Sequence, residues 1–313
     1  MFTDIIRAFE THSRIIIHRH KNPDGDALGS QIGLKHLLLE NFPGKEVLTV
    51  GDAAGRYGFM EDSQMDEVPD EAFHGALSVI LDCSAAHLIS DSRYTLAAET
   101  VRMDHHLFVE KIADTEAVDT SRESCCGLIA KMARDRGLRL TTLAAKSLYT
   151  GMITDSGRFR YDAVDSETFR LAAFLREQPF DAEEIYRNLY AEDLGYLQKK
   201  AHFLLKIQIS QGGVAYIYTD AQEVAELNMD TFSISRGMVG TMADLRGVDT
   251  WVNFTEAEGG VLCELRSNRY NINPIAVKYG GGGHPKASGA RVADRETAMN
   301  MLRDLELLRE ENQ

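Results

Sequence analysis

The sequence lacks the features that mark zinc ribbons and membrane proteins. It has four cysteines, Cys83, Cys125, Cys126 and Cys263, and none of them forms a Cys-x-x-Cys pair, which is the usual spacing in structural zinc sites. No stretch is long and uncharged enough to cross a membrane, and residues 1–14 contain no apolar core of the signal-peptide type. We therefore expect a cytoplasmic protein whose cysteines are reduced and packed in the core.

The sequence also lacks an excess of positive charge. Acidic residues outnumber basic ones 48 to 34, which gives a formal net charge of −14. Proteins that follow duplex DNA usually carry a basic face, because neutralising phosphates drives such binding. The charge balance argues against long duplex nucleic acid and anionic membranes as partners. A short phosphorylated ligand stays open, since bound metal ions can supply positive charge locally.

What the sequence does contain is a regular alternation of elements in its first part. The chain has 313 residues, which is long enough for two domains. The predicted strands are 14–18, 45–50, 77–81 and 100–103, and the predicted helices are 27–39, 125–136 and 144–153. Strands that alternate with helices in this way predict an α/β domain built on a parallel sheet.

The pattern changes towards the middle of the chain. Residues 181–205 combine helical periodicity with many charges, which is typical of a connecting helical segment. From residue 206 onward, the predicted strands and helices form a mixed α/β region with a glycine run at 280–283. The sequence therefore predicts two domains, 1–180 and a smaller 206–313, joined by a helical linker at 181–205.

Side chains that could bind a metal collect at the ends of the predicted strands and helices. They are His20, Asp24 and Asp26 after the first strand, Asp82 after the third, Asp104, His105 and His106 after the fourth, and Asp155 at the end of a helix. The carboxyl ends of parallel strands lie on one edge of a sheet, so these side chains can converge. A charge at the tip of an apolar strand is also costly unless it is paired or coordinated.

The stretch 20–26 has a simpler interpretation when it is taken alone. Pro23 and Gly25 predict a loop rather than a helix or strand there. Within that loop, Asp24 could simply cap the helix that follows, since aspartate is common at this position. The metal hypothesis therefore depends on the later residues of the set.

The chemistry of the set favours a pair of divalent ions. Imidazole and carboxylate ligands without thiolates favour Mn²⁺ over Mg²⁺ or Fe²⁺. Six ligands are more than one ion normally takes from a protein, whereas two ions that share a bridging carboxylate would use them all. Two metal ions about 3.5–4 Å apart are the usual arrangement for in-line displacement at phosphorus. The sequence therefore predicts phosphoester hydrolysis.

The same residues, in the same order, resemble the four motifs of the DHH phosphoesterase superfamily. In the C-terminal part, the segments 265–268 (Leu-Arg-Ser-Asn) and 280–289 (four glycines, then His-Pro-Lys-Ala-Ser-Gly) are similar to the substrate-binding motifs of the DHH-associated domain. Within the superfamily, the chain is most similar to bifunctional oligoribonucleases that also dephosphorylate 3′-phosphoadenosine 5′-phosphate, often called nanoRNases. The resemblance covers nearly the whole chain and implies an active site in the cleft between the two domains.

The resemblance also implies a role for each residue of the motifs. His20 and Asp24 would hold one metal, Asp26, His105 and Asp155 the other, and Asp82 would bridge both. His106 would contact the scissile phosphate, and Asp104 would orient a ligand imidazole through its other nitrogen. The residues expected to bind substrate are Arg266, Ser267, Gly281, Gly282, Gly283 and His284.

The implied function is a two-metal phosphoesterase, with Mn²⁺ as the expected ion. It would hydrolyse short oligoribonucleotides to mononucleotides and 3′-phosphoadenosine 5′-phosphate to AMP. One alternative is a phosphodiesterase for linear dinucleotides from cyclic-dinucleotide turnover, which would use the same site. A manganese inorganic pyrophosphatase and a non-catalytic nucleotide-sensing module are less favoured alternatives. A homodimer is compatible with the sequence, which does not fix the oligomeric state.

Overall fold

The computed structural model describes residues 2–312, and the chain separates into two compact units. The first unit ends at Ala191 and the second begins at Glu192. This division lies inside the stretch 181–205, for which the sequence predicts a helical linker. The structure places one helix of that stretch, α6 (Ala182–Tyr190), in the first unit and the next helix, α7 (Leu194–Lys206), in the second.

The first unit alternates strands and helices along the chain. Its other elements are α1 (Thr3–Thr11), β1 (Arg14–His18), α2 (Gly25–Asn41), β2 (Glu46–Thr49), β3 (Leu77–Leu81), β4 (Glu99–Asp104), β5 (Thr115–Val118), α3 (Cys125–Arg136), α4 (Thr142–Asp155) and α5 (Ser166–Arg176). The strands form one sheet in the order β2-β1-β3-β4-β5, and every neighbouring pair is parallel. The predicted α/β domain with a parallel sheet is confirmed.

The central strands are apolar because both faces of the sheet are covered there. Every residue of β3 is buried, as are the last four residues of β1. Parallel strands of this kind read as continuous hydrophobic runs. Strand β5 was not predicted from the sequence. It is short, lies at the edge of the sheet and is only partly buried, so it lacks the apolar run of the central strands.

Helices α2 and α4 pack unusually close to each other through a row of glycines. Gly25, Gly29 and Gly33 recur every four residues along α2 and therefore lie on one face of the helix. A Cβ atom at Gly29 would lie 2.6 Å from the backbone oxygen of Ser147 in α4. The missing side chains let the two helices approach, and this brings the start of α2 near the end of α4, where Asp155 lies.

The second unit is a mixed α/β structure, as the sequence predicts. After α7 it contains β6 (Gln208–Ile209), β7 (Ala215–Thr219), α8 (Ala221–Glu226), a π-helical turn (Ser233–Gly237), a 3₁₀ turn (Val239–Met242), β8 (Thr250–Ala257), β9 (Gly260–Ser267), α9 (Asn273–Lys278), β10 (Gly282–His284), β11 (Ala287–Val292) and α10 (Arg295–Glu310). The sheet order is β10-β11-β9-β8-β7-β6. Strands β7 and β8 pair parallel, and the other neighbours pair antiparallel.

Two expectations about the chain as a whole concern its cysteines and membrane segments. The four cysteines are free and buried, as the sequence predicts. Across residues 2–312, the structure contains no helix with the length and apolar character needed to span a bilayer.

The glycine row predicts that Gly29→Ala destabilises the first unit. An alanine in a helix interior is normally favoured over glycine by about 1 kcal/mol, but overpacking against a fixed backbone oxygen costs about 1–3 kcal/mol. Because Ser147 O belongs to a helix backbone, we expect a net loss of stability, measured by urea denaturation. Gly240→Ala is the control, since a Cβ at Gly240 meets no atom within 4 Å. A Gly29→Ala protein as stable as this control would contradict the close packing.

Candidate functional site

The residues predicted to bind metal converge at the carboxyl edge of the parallel sheet in the first unit. In three groups, one possible ligand atom of each residue lies within 4.8 Å of the others: His20 with Asp24 and Asp82, Asp26 with His105 and Asp155, and Asp82 with His105 and His106. The first two groups match the two metal sites that the sequence resemblance implies. All six expected ligands are therefore brought together.

Asp82 lies where the groups meet. Its side chain is only 2% exposed, and its Oδ2 and Oδ1 atoms lie 3.4 Å from the Nε2 atoms of His20 and His105 respectively. Among the described residues, its buried Oδ1 has no hydrogen-bond partner. The backbone of Asp82 is left-handed, with φ of 53°, a conformation that costs energy for residues other than glycine and is typical of functional sites. One carboxylate thus faces both groups of ligands.

The two histidines are fixed so that one nitrogen of each ring is free for a metal. The Nδ1 atom of His20 lies 2.9 Å from the carbonyl oxygen of Lys21, and that of His105 lies 3.3 Å from the carbonyl oxygen of Arg122. Since a carbonyl oxygen only accepts, Nδ1 carries the proton in each ring. The Nε2 atoms face the carboxylates, and each would offer its lone pair to a metal ion that takes the place of the Nε2 proton, which is how metal-binding imidazoles are usually held.

Asp24 caps the following helix and also lies in the first ligand group. Its Oδ1 atom accepts hydrogen bonds from the backbone N–H groups of Asp26 and Ala27, at 3.0 and 2.9 Å, and so caps α2. The helix therefore begins at Gly25, and the prediction of a loop through residue 26 is wrong, because the aspartate cap starts the helix earlier. The same Oδ1 atom lies 3.8 Å from His20 Nε2, and the side chain is 49% exposed.

Asp26 is held by a different helix. It is buried, and its two oxygens accept hydrogen bonds from the first backbone N–H groups of α3, from Cys125 at 2.7 Å and from Cys126 at 2.9 Å. A helix N-terminus favours negative charge, because its first N–H groups have no partner within the helix. The adjacent cysteines thus position a carboxylate through their backbone, a role that the sequence did not suggest.

The pKa values show how much negative charge the site concentrates. Burial raises the pKa of Asp26 well above its usual value, and the charges of Asp82 and Asp155 raise it further. Burial alone would lower the pKa of both histidines. Hydrogen bonds and charges from the surrounding carboxylates instead raise it to about 11 for His20 and about 10 for His105. A site whose carboxylates demand this much positive charge fits divalent cations.

His106 is oriented by a buried chain of hydrogen bonds. Its Nδ1 atom lies 2.7 Å from Asp104 Oδ1, and Asp104 Oδ2 accepts a hydrogen bond of 2.5 Å from Arg102 Nη2. Asp104 therefore contacts the imidazole expected to face the phosphate, and not a ligand imidazole as the sequence resemblance implies. The hydrogen bond that Nδ1 donates to Asp104 also raises the pKa of His106, whose side chain is 45% exposed. In the protonated ring that this favours, Nε2 can donate a hydrogen bond to a substrate.

The residues expected to bind substrate are only partly brought together. A groove of about 330 Å³ in the second unit is lined by Arg236, Glu264, Arg266, Gly282, Gly283, His284, Ala287, Ser288 and Gly289. Ser267 is not among them; it is 4% exposed, and its hydroxyl donates a 2.9 Å hydrogen bond to the backbone oxygen of Asp249. Gly281 is also absent from the lining, because it packs against β11.

Sequence reasoning missed three residues of these sites. Arg102 lies in the middle of β4 and is completely buried, and an arginine inside an apolar strand is a signal that could have been followed. Glu264 lies two residues before Arg266 in β9 and therefore on the same face of the sheet. Nothing in the sequence pattern indicated Arg236, because it lines the groove from the π-helical turn, which lies far from the motifs in the sequence.

Comparison with known proteins assigns each unit to a known domain family. Residues 14–152 match the DHH family, N-terminal domain, and residues 215–310 match the DHHA1 domain. The chain is 33% identical to the bifunctional oligoribonuclease and PAP phosphatase NrnA of Bacillus subtilis, over 100% of both chains. It is also 33% identical to a probable NrnA of Streptococcus mutans, over 97% of this chain and 98% of that one.

A solved structure supports the fold. An exopolyphosphatase-related protein from Bacteroides fragilis superposes with a TM-score of 0.83 at 24% sequence identity. The match covers 97% of this chain and 94% of the other. The arrangement of sheets described above is therefore shared with an experimentally determined structure.

Two neighbouring glycines predict opposite effects in the second unit. A Cβ at Gly281 would lie 2.1 Å from the backbone oxygen of Gly289, whereas a Cβ at Gly282 would meet no atom within 4 Å. We expect Gly281→Ala to lower the free energy of unfolding by about 1–3 kcal/mol. We expect Gly282→Ala to leave stability unchanged and to weaken nucleotide binding, because its methyl group lies in the groove. Thermal denaturation and a nucleotide titration measure the two effects, and the reverse pattern would contradict the groove geometry.

Proposed function

The chain belongs to the DHH family of phosphoesterases, and on this basis we propose that it hydrolyses short oligoribonucleotides to mononucleotides and 3′-phosphoadenosine 5′-phosphate to AMP. The observation that carries the proposal is the meeting of two ligand groups at the buried carboxylate of Asp82. The full-length similarity to the relatives named as bifunctional oligoribonucleases and PAP phosphatases supports this substrate class.

The proposed metal centre uses the ligands as they are grouped in the structure. His20 and Asp24 would hold one ion, Asp26, His105 and Asp155 would hold the other, and Asp82 would serve both. We propose Mn²⁺, because mixed imidazole and carboxylate ligands without thiolates suit this ion. Bound divalent ions would supply electrostatic stabilisation of the charge that develops on the phosphoryl oxygens.

The other residues of the first unit act on the phosphate directly or through one another. His106 donates a hydrogen bond from Nε2 to a non-bridging phosphate oxygen when its ring is protonated, a state that the hydrogen bond from Nδ1 to Asp104 favours because it raises the pKa of His106. Asp104 keeps that ring in place, and Arg102 keeps Asp104 in place through a bond that is shielded from water. A chain of this kind stabilises charge without the need to reorganise solvent.

The second unit supplies the residues that recognise a nucleotide. Arg266 and His284 lie on the groove with the glycines of β10, and their N–H groups can donate hydrogen bonds to phosphate oxygens. Of the domains predicted from the sequence, 1–180 would carry out catalysis and 206–313 would recognise the substrate. The segment 181–205 would connect them. We further propose that the protein works in the cytoplasm, without long duplex nucleic acid as a partner, either alone or as a homodimer.

A substrate panel tests the proposal against its alternatives. With Mn²⁺ present, the initial rates on dinucleotides, longer RNA, 3′-phosphoadenosine 5′-phosphate and pyrophosphate are compared. We expect turnover of the dinucleotides and of 3′-phosphoadenosine 5′-phosphate, with little on long RNA or pyrophosphate. A preference for linear dinucleotides alone would favour the cyclic-dinucleotide pathway, and pyrophosphate as the best substrate would favour a pyrophosphatase. If no substrate is turned over, the non-catalytic nucleotide-sensing module becomes the favoured alternative.

The bridging role predicts a severe loss in Asp82→Asn. Asparagine tolerates the left-handed backbone of this position but cannot carry the negative charge that two cations require. We expect kcat to fall by at least about 100-fold, with the circular dichroism spectrum unchanged. Asp62→Asn is the matched control, because Asp62 is also left-handed, with φ of 62°, yet pairs with Lys35 and His36 away from the site. Undiminished turnover in Asp82→Asn would overturn the bridging assignment.

A further inference from the structure

The groove of the second unit has the size of a site for one nucleotide. Its volume of about 330 Å³ is near the lower end of the range of small-ligand pockets, about 300–1,000 Å³. One wall is β10, which is the outer strand of its sheet, so one edge of its backbone has no strand partner. The side chain of Asn273 donates a 2.8 Å hydrogen bond to the backbone oxygen of Gly283 in this strand. Glycines without side chains let a phosphate approach the backbone N–H groups closely.

The arginine that the motif supplies to this groove is already neutralised. Arg266 Nη2 lies 3.1 Å from Glu264 Oε2, and Arg266 Nη1 donates a 2.8 Å hydrogen bond to the backbone oxygen of Leu265. The charge of Glu264 offsets that of Arg266, and both side chains line the groove. Arg266 therefore shapes this wall but offers little net positive charge to a phosphate.

Arg236 provides the charge that Arg266 does not. It lines the same groove from the π-helical turn and is exposed. Among the described residues, its guanidinium has no hydrogen bond or ion pair; its one contact is with the ring of Phe232, whose centroid lies 5.8 Å from Arg236 Cζ. The chain has a net charge of −14, so an arginine that lines a groove without forming an ion pair is well suited to bind an anion. π-Helical turns are also frequent at functional sites.

Phe232 adds a surface for a nucleobase. Its side chain is 65% exposed and lies four residues before Arg236, beside the guanidinium. An exposed aromatic ring next to an arginine is the combination on which bases stack, with little preference among bases. A phosphate held by the guanidinium would leave the base of the same nucleotide within reach of the ring.

We propose that Arg236 and Phe232 bind a terminal nucleoside monophosphate of the substrate, with Arg236 on the phosphate and Phe232 on the base. His284 and the open edge of β10 complete the phosphate site. The proposal rests on the function proposed above and adds to it the residues that recognise the nucleotide. It also implies that nucleotide binding to this groove does not require the metal ions of the first unit.

The test is a calorimetric titration of the full-length protein with AMP and with inorganic phosphate, each in Mn²⁺ and in EDTA. Arg236→Gln should weaken the binding of both ligands by about 10-fold or more, since it removes a charged hydrogen bond. Phe232→Ala should weaken AMP binding by about 5-fold or more and leave phosphate binding unchanged. In EDTA, the wild-type protein should still bind AMP with the same dependence on Arg236.

Arg295→Gln is the matched control. Arg295 is also exposed and also lies over an aromatic ring, 4.6 Å from the centroid of Tyr218, but it lines a different cavity. The Arg295→Gln protein should bind AMP and inorganic phosphate with wild-type affinity. Wild-type affinities in Arg236→Gln, or loss of wild-type AMP binding in EDTA, would overturn the inference even if the substrate panel shows turnover. An inactive protein that still binds AMP through Arg236 would overturn the proposed function and keep the inference.

Discussion

The mutual repulsion of carboxylates at one edge of a sheet is the constraint on which the first unit depends. Asp26 and Asp82 are almost completely buried beside each other, and buried charges are costly unless they are paired or coordinated. The fold offsets part of this cost locally. The N-terminal N–H groups of α3 bind Asp26, and two imidazoles face Asp82. What these contacts leave unbalanced is the charge that divalent cations would neutralise.

The rest of the unit makes this concentration of charge geometrically possible. The parallel sheet carries Asp82, which follows β3, and the two histidines that follow β4 to one edge. The glycines of α2 let α4 approach closely enough to add Asp155. Four of the six ligands are also held by backbone groups, so their orientation does not depend on the metal alone; they are His20, Asp24, Asp26 and His105. Catalytic specificity would then come from the second unit, where Glu264 removes the net charge of Arg266 and leaves Arg236 to bind an anion.

How much could be predicted from the sequence differs between the two units. In the first unit, apolar strands ending in acids predict both the parallel sheet and the convergence of ligands, because strand polarity fixes which ends meet. The helix start at Gly25 could not be predicted from Pro23 and Gly25, since the cap by Asp24 overrides their preference for a loop. In the second unit, Arg236 joins the groove only through tertiary structure. Its π-helical turn has no periodicity that a sequence pattern would show.

The proposed function depends on the six ligands forming a pair of cation sites that share Asp82. The most direct measurement is the stoichiometry of Mn²⁺ binding to the purified full-length chain, by equilibrium titration and by elemental analysis after gel filtration. Two ions bound per chain is the result that the account predicts. A single ion per chain, or none at concentrations that support turnover, would contradict it.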